Sequence, residues 1–159
     1  MSDDPLGPGG IHASAVAFGH RAVLIRGVAG SGKSALALAL LSRRLFDGTP
    51  GRLLADDRVR LRVEEGRLVA FAPDTLKGLI EARGVGLLRV PAAEPCPVAL
   101  LVDLLEAPEP CERMPARADD TLAGIVLAAV RWPARASTTG ADLVVALLSG
   151  AERIDPDAA

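Results

Sequence analysis

Eight consecutive residues, Gly27-Val28-Ala29-Gly30-Ser31-Gly32-Lys33-Ser34, fit the pattern G-x-x-x-x-G-K-[ST] at every position. The residue types suit one chemistry. Glycines let the backbone turn so that successive N–H groups converge on phosphate oxygens. A helix starting at the end of the loop adds the partial positive charge of its N-terminus. Lys33 carries a compact charge for the terminal phosphates, and Ser34 offers a hydroxyl to Mg²⁺. For a chain with this much Gly and so little Lys, the full pattern arises by chance in roughly one or two sequences per thousand. A nucleoside triphosphate site is therefore the first expectation.

Such a site needs a carboxylate near the metal, usually at the end of an adjacent apolar strand. Two places qualify. Leu53-Leu54-Ala55 runs into Asp56-Asp57, and Val98-Ala99-Leu100-Leu101-Val102 runs into Asp103. Asp103 ends the longer apolar run. The adjacent pair can divide two tasks, one acid serving the metal and the other taking the proton of an attacking hydroxyl. The pair thus favours phosphoryl transfer to a hydroxyl over simple hydrolysis.

The elements that must position these groups follow from local pattern. Residues 1–10 are acidic and rich in Gly and Pro, and read as a disordered arm. Residues 11–18 alternate, with Ile11, Ala13, Ala15 and Ala17 opposite His12, Ser14, Val16 and Phe18. They form a hairpin with a buried strand at 22–26. After the glycine loop, residues 33–46 lack Gly and Pro and are rich in Ala and Leu, which predicts a helix. Strands are expected at 52–55, 59–63, 68–71, 86–90, 98–105 and 125–131. Residues 76–80 read as a turn or 3₁₀ piece, and 91–97 and 107–120 as loops. A final helix spans 137–148 with Ser137 as its cap, followed by a flexible tail at 150–159. The chain thus reads as one α/β domain over 11–149, a mixed sheet with a loop-following helix and a C-terminal helix.

Composition excludes several alternatives. The 159 residues suit a single domain. The net charge is −2, against a nucleic-acid binder. No apolar run is long enough to span a membrane, and the N-terminus lacks a signal-peptide pattern, so a cytoplasmic location is expected. Cys96 and Cys111 suit two reduced thiols better than a disulfide or zinc site. The chain has no Asn, Gln or Tyr. That removes a guanine-reading N-K-x-D motif and a water-positioning Gln, so an ordinary GTPase is disfavoured. Arg outnumbers Lys by 16 to two. A global bias toward Arg makes each retained Lys, Lys33 above all, more informative.

Three stretches together resemble the catalytic domain of the HPr kinase/phosphorylase family. His12, Val23-Leu24-Ile25 and the loop from Gly27 to Ser34 match its start. Leu54-Ala55-Asp56-Asp57-Arg58-Val59 is similar to its L-V-A-D-D-x-V. Leu79-Ile80-Glu81-Ala82-Arg83-Gly84-Val85-Gly86-Leu87-Leu88-Arg89-Val90 resembles its L-x-E-x-R-G-x-G-I-I-x-V signature. The resemblance covers residues 11–90 and implies the P-loop fold shared with phosphoenolpyruvate carboxykinases. It also implies an ATP- and Mg²⁺-dependent serine kinase acting on the phosphocarrier protein HPr, with phosphorolysis as the reverse reaction.

By matching positions, the resemblance makes Gly27, Val28, Ala29, Gly30, Ser31, Gly32, Lys33 and Ser34 the nucleotide-phosphate site. One of Asp56 and Asp57, with Asp56 favoured, becomes the general base, and the other joins Ser34 and Glu81 on the metal side; Arg83 becomes a support for the phosphate or the signature loop, and His12 a neighbour of the site. Two departures stand out. The family's mobile loop is replaced by a Pro-rich stretch at 91–97, and its P-G-R-N segment survives only as Pro133-Ala134-Arg135-Ala136. The expectation is a short form without the family's N-terminal domain; family members form hexamers, which raises homo-oligomerisation as a further expectation. A small-molecule P-loop kinase and a non-catalytic ATP-sensing module are the alternatives.

Overall fold

A computed structural model describes residues 4–106, 118–152 and 154. The strands are β1 (Ile11–His12), β2 (Ser14–Phe18), β3 (Arg21–Arg26), β4 (Gly51–Ala55), β5 (Arg58–Glu64), β6 (Arg67–Phe71), β7 (Leu79–Ala82), β8 (Gly86–Arg89), β9 (Cys96–Leu105), β10 (Ala118–Leu122) and β11 (Ile125–Pro133). The helices are α1 (Lys33–Leu41) and α2 (Ser137–Leu148), and a 3₁₀ turn covers Asp74–Leu76. The main sheet runs β1-β5-β6-β9-β3-β2-β4, with the β10–β11 hairpin joined to β9 through β11. It is mixed: β9 is parallel to β3 and β11, and the remaining pairs in it are antiparallel. This is the α/β architecture expected from the sequence.

Period-two alternation explains how the sheet builds two cores. On β2 the residues Val16 and Phe18 face α1 and α2, where they pack with Ile25, Leu36, Leu40, Leu53, Val102 and Val144. Ala15 and Ala17 face the other way, against Ala13, Leu24, Leu54, Val59, Leu61 and Leu68. All five residues of β2 are buried. A strand buried on both faces with alanines on one of them lets a second layer of sheet approach closely. That layer is the β5–β6 hairpin, whose Val59, Leu61, Leu68 and Ala70 close over the alanine face.

The structure differs from expectation at several ends. Helix α1 stops at Leu41, not at residue 46. Ser42 turns its Oγ back to the carbonyl of Ala39 at 2.8 Å, a side-chain bond that competes with continuation of the helix. Leu45 then turns into the core while Phe46 stays exposed. Ala136, not Ser137, is the N-cap of α2, and no side chain caps it. Its carbonyl is used by Gly140 N and by Trp132 Nε1 instead. The stretch after the 3₁₀ turn is a strand, β7, because β8 supplies its partner. Residues 118–120, expected in a loop, pair with β11; residues 107–117 lie outside the described residues. Cys96 and Pro97 belong to β9 and not to the preceding loop. Residues 4–10 make two successive turns, closed by Gly7 N to Asp4 O and Gly10 N to Gly7 O. The rest of the expected arm, and most of the expected tail, lie outside the described residues.

Gly140 tests the packing of α2. A Cβ there would lie 2.7 Å from Trp132 Nε1 and 2.9 Å from Trp132 Cδ1. Alanine has the better helix propensity, worth about 1 kcal/mol, yet it would push the indole from its bond to Ala136. Gly140→Ala is expected to destabilise by about 1–3 kcal/mol, the usual cost of overpacking. Urea unfolding followed by the fluorescence of Trp132, the single tryptophan, measures it. A more stable variant would show that propensity outweighs the contact.

Candidate phosphate-binding and acidic site

Strand β3 delivers the chain into the loop at 27–34, and α1 carries it away. Gly30 and Gly32 have φ of 80° and 96°, in the left-handed region that glycine occupies without strain. Gly27 is required for a different reason: a Cβ there would collide with Ser31 Oγ and lie 3.1 Å from Leu104 Cβ. Lys33 is buried in the loop, and its Nζ donates to the carbonyls of Gly27 (2.7 Å) and Val28 (3.1 Å). Burial pulls its ammonium below the ordinary lysine range, against the opposing pull of the Asp57 and Asp56 charges. Ser31 Oγ is buried with no hydrogen-bond partner among the described residues. A buried hydroxyl without a partner is costly unless a ligand completes it. These features fit a phosphate group, and Lys33 is placed to follow it.

Asp56, at the end of β4, is buried against the loop. Its Oδ1 accepts from Ser34 Oγ at 2.8 Å and from Ser14 Oγ at 2.7 Å. Its Oδ2 accepts the backbone N–H of Glu81 at 3.2 Å. Asp57 adopts φ 65°, a conformation Asp tolerates better than most side chains. That backbone turn separates the two acids. Asp57 is exposed, and its Oδ1 lies 2.8 Å from His12 Nε2. The bond from Ser34 Oγ to Asp56 places the pair beside the loop.

The sequence therefore brings His12, Lys33, Ser34, Asp56, Asp57 and the β7 backbone at Glu81 into one neighbourhood. Within it Asp56, not Asp57, touches the Ser34 hydroxyl. Glu81 is exposed on β7, with its main chain on Asp56. Arg83 stands exposed in the β7–β8 turn, and no hydrogen bond or ion pair among the described residues ties it to the loop. Among the described residues no group of three or more His, Cys, Asp and Glu is gathered for a metal. A hydroxyl with one or two carboxylates beside a phosphate loop nevertheless suits Mg²⁺, which keeps water and phosphate oxygens in its shell.

Two contributors were not legible as site residues. Ser14 is a polar residue on a strand buried on both faces, and its hydroxyl fixes Asp56. Arg135, in the Pro133-Ala134-Arg135-Ala136 remnant, lies on the loop. Its backbone N–H bonds Ser31 O at 2.9 Å and its Nη1 bonds Gly30 O at 3.0 Å. Glu106 grips the same guanidinium with two bonds, at 2.9 and 2.6 Å. The Arg135 guanidinium holds the Glu106 carboxyl below the usual carboxylate range.

The other acidic candidate is engaged elsewhere. Both oxygens of Asp103 are taken by Arg26, at 2.8 and 2.9 Å, and Asp120 completes the ion pair. Asp103 therefore joins β3 to β9 and the β10–β11 hairpin. Asp103→Ala is expected to destabilise by about 1–3 kcal/mol, the cost of stripping a partner from a part-buried charged bond. The thermal shift caused by ATP·Mg²⁺ should persist in that variant; its loss would move the metal carboxylate to Asp103. Cys96 is buried, and burial pushes its thiol up to about 11, which makes it unreactive near neutrality. Cys111 lies outside the described residues. No helix among the described residues is long and apolar enough to cross a membrane.

A phosphate loop on a mixed α/β sheet, with an acidic pair at the end of β4, two strands from β3, defines a P-loop nucleotide-binding domain. Residues 9–93 match the family described as HPr Serine kinase C-terminal domain, and the chain belongs to that family. It is 48% identical over 69 residues to an HPr kinase/phosphorylase of Peptoclostridium acidaminophilum, covering 43% of this chain and 20% of that protein. It is 40% identical over 91 residues to the HPr kinase/phosphorylase of Clostridium acetobutylicum, covering 57% of this chain and 28% of that one. The matches thus span about a fifth to just over a quarter of these relatives' length. The Hpr(Ser) kinase/phosphatase structure from Coxiella burnetii superposes with a TM-score of 0.71 at 25% identity, covering 87% of this chain and 92% of that chain.

Proposed function

We propose that the chain is an ATP- and Mg²⁺-dependent kinase, acting in the cytoplasm on a serine of the phosphocarrier protein HPr. The observation that carries the reading is the bond from Ser34 Oγ to Asp56 beside a second, exposed acid held by His12. The loop N–H groups and Lys33 would hold the nucleotide phosphates. Ser34 and Asp56 would hold Mg²⁺, with Glu81 beside them, and the bound metal would supply charge neutralisation at the transferred phosphoryl group.

Asp57 is the general base in this reading. Both oxygens of Asp56 already accept hydrogen bonds from the protein, whereas Asp57 faces solvent, from which a protein hydroxyl must arrive. Asp57 accepts the proton of the incoming serine as its oxygen bonds to the γ-phosphorus and ADP departs. His12 fixes the Asp57 carboxylate through the bond at Oδ1, leaving Oδ2 for the substrate proton. In the reverse direction the same proton returns to the serine oxygen as inorganic phosphate takes the phosphoryl group and pyrophosphate forms. Arg135, anchored by Glu106 on the loop, would steady the cradle.

Incubation of the chain with labelled ATP, Mg²⁺ and HPr from the same organism tests the proposal. Label on a serine of HPr is the expected result. A thermal shift with ATP·Mg²⁺ but no label on HPr would leave a nucleotide-sensing module; label on a small hydroxyl compound alone would assign a different kinase.

A further inference from the structure

Strand β5 carries Arg58, Arg60 and Arg62 on alternate positions, with Val59 and Leu61 buried between them. Period two puts all three guanidinium groups on the outer face, about 6.7 Å apart along the strand. The stripe begins at the acidic pair. Arg58 follows Asp57 directly and lies across from His12 in the β1–β5 register. Arg60 and Arg62 stack on Phe71 of β6, with their guanidinium carbons 5.1 and 4.8 Å from the ring centre. That stacking holds two long side chains in place on an open surface. Arg62 also pairs with Glu64, but no carboxylate of the described residues pairs with Arg58 or Arg60.

A run of arginines can be a merely solvated face, and this chain is rich in Arg. Three things distinguish this one: it is aligned, it is pre-ordered on an aromatic ring, and it leads into the site. We propose that the β5 stripe is the docking track for an acidic segment of the protein substrate, which it guides toward Asp57. The inference rests on the reading of the chain as a protein kinase and adds where its substrate sits. Nucleic acid is a poor occupant for a chain of net charge −2. Docked charges at the rim of an interface act mostly on encounter and on salt dependence. The stripe therefore governs capture of the protein substrate, not the transfer step.

The test compares the wild type with Arg58→Glu/Arg60→Glu and Arg58→Lys/Arg60→Lys, using HPr from the same organism as acceptor. The double Glu variant is expected to lose roughly tenfold or more in kcat/KM for HPr at low salt, with kcat at saturating HPr and the ATP·Mg²⁺ thermal shift retained. Its kcat/KM should also depend less steeply on salt than that of the wild type. The double Lys variant, which keeps the charge, should stay within about threefold of wild type. Equal kcat/KM in the wild type and the Glu variant overturns the docking track while the kinase reading stands. A fall in kcat alone would make the arginines part of the transfer machinery and also overturn it. Absence of transfer to HPr by the wild type itself overturns the kinase reading, and the track with it.

Discussion

Lys33→Ala is expected to abolish both transfer and the thermal shift with ATP·Mg²⁺. In the protein the Lys33 ammonium is held inside the loop by the carbonyls of Gly27 and Val28, and the loop around it matches the phosphate-binding pattern at every position. A ligand that binds only the native state at a hundred times its Kd stabilises by about 2.7 kcal/mol. For a domain of this size that corresponds to roughly 5–10 °C in Tm, and the variant should show none of it. Lys33→Arg is expected to fail nearly as badly, because a planar guanidinium cannot replace a compact ammonium between two loop carbonyls. A normal shift in Lys33→Ala would remove the nucleotide from this loop. The same measurement without ligand checks that the fold is retained.

Asp57→Asn is expected to lower the transfer rate by about 10²–10⁴-fold, the usual value of a general base. ATP affinity should change little, since the lost interaction develops in the transition state. Asn is the informative replacement because it tolerates the left-handed backbone at this position. Asp56→Asn is expected to behave differently. It should weaken the Mg²⁺ dependence and ATP binding as well as the rate, because Asp56 is the acid bonded to Ser34. Asp56→Ala is less informative: it would leave the buried Ser14 hydroxyl without its acceptor, at a cost of about 1–3 kcal/mol. Titrating Mg²⁺ against the two Asn variants separates the roles. If Asp57→Asn transfers at the wild-type rate while Asp56→Asn keeps its metal dependence and loses only rate, the base is Asp56.

Much of this site could be read along the chain because its parts are local. The phosphate loop is eight adjacent residues between an apolar strand and an Ala/Leu helix, and strand–loop–helix is the context its glycines require. The acidic pair at the end of an apolar strand, and the apolar alternation of β2 and β5, are equally local. Where helix α1 ends was not, because the inward turn of Leu45 depends on the core that α2 and the sheet form. Strand β7 is hidden from local pattern for a similar reason: four residues become a strand when β8 supplies hydrogen bonds.

Sequence pattern alone carried the α/β class, the phosphate loop and the three stretches that hold His12, Asp56, Asp57 and Glu81. Tertiary structure brings Asp56, and not Asp57, to the Ser34 hydroxyl. Adjacent residues on a strand end point apart, but which one meets Ser34 depends on the bulged pairing of β2 with β4 and on the backbone turn at Asp57. It also withdrew Asp103 by placing Arg26 opposite it on the parallel neighbour β3. It brought Ser14, Glu106 and Arg135 to the loop from distant parts of the chain. Local chemistry is written in adjacent residues, whereas the partner of a carboxylate is set by strand order and register, which short-range patterns do not contain.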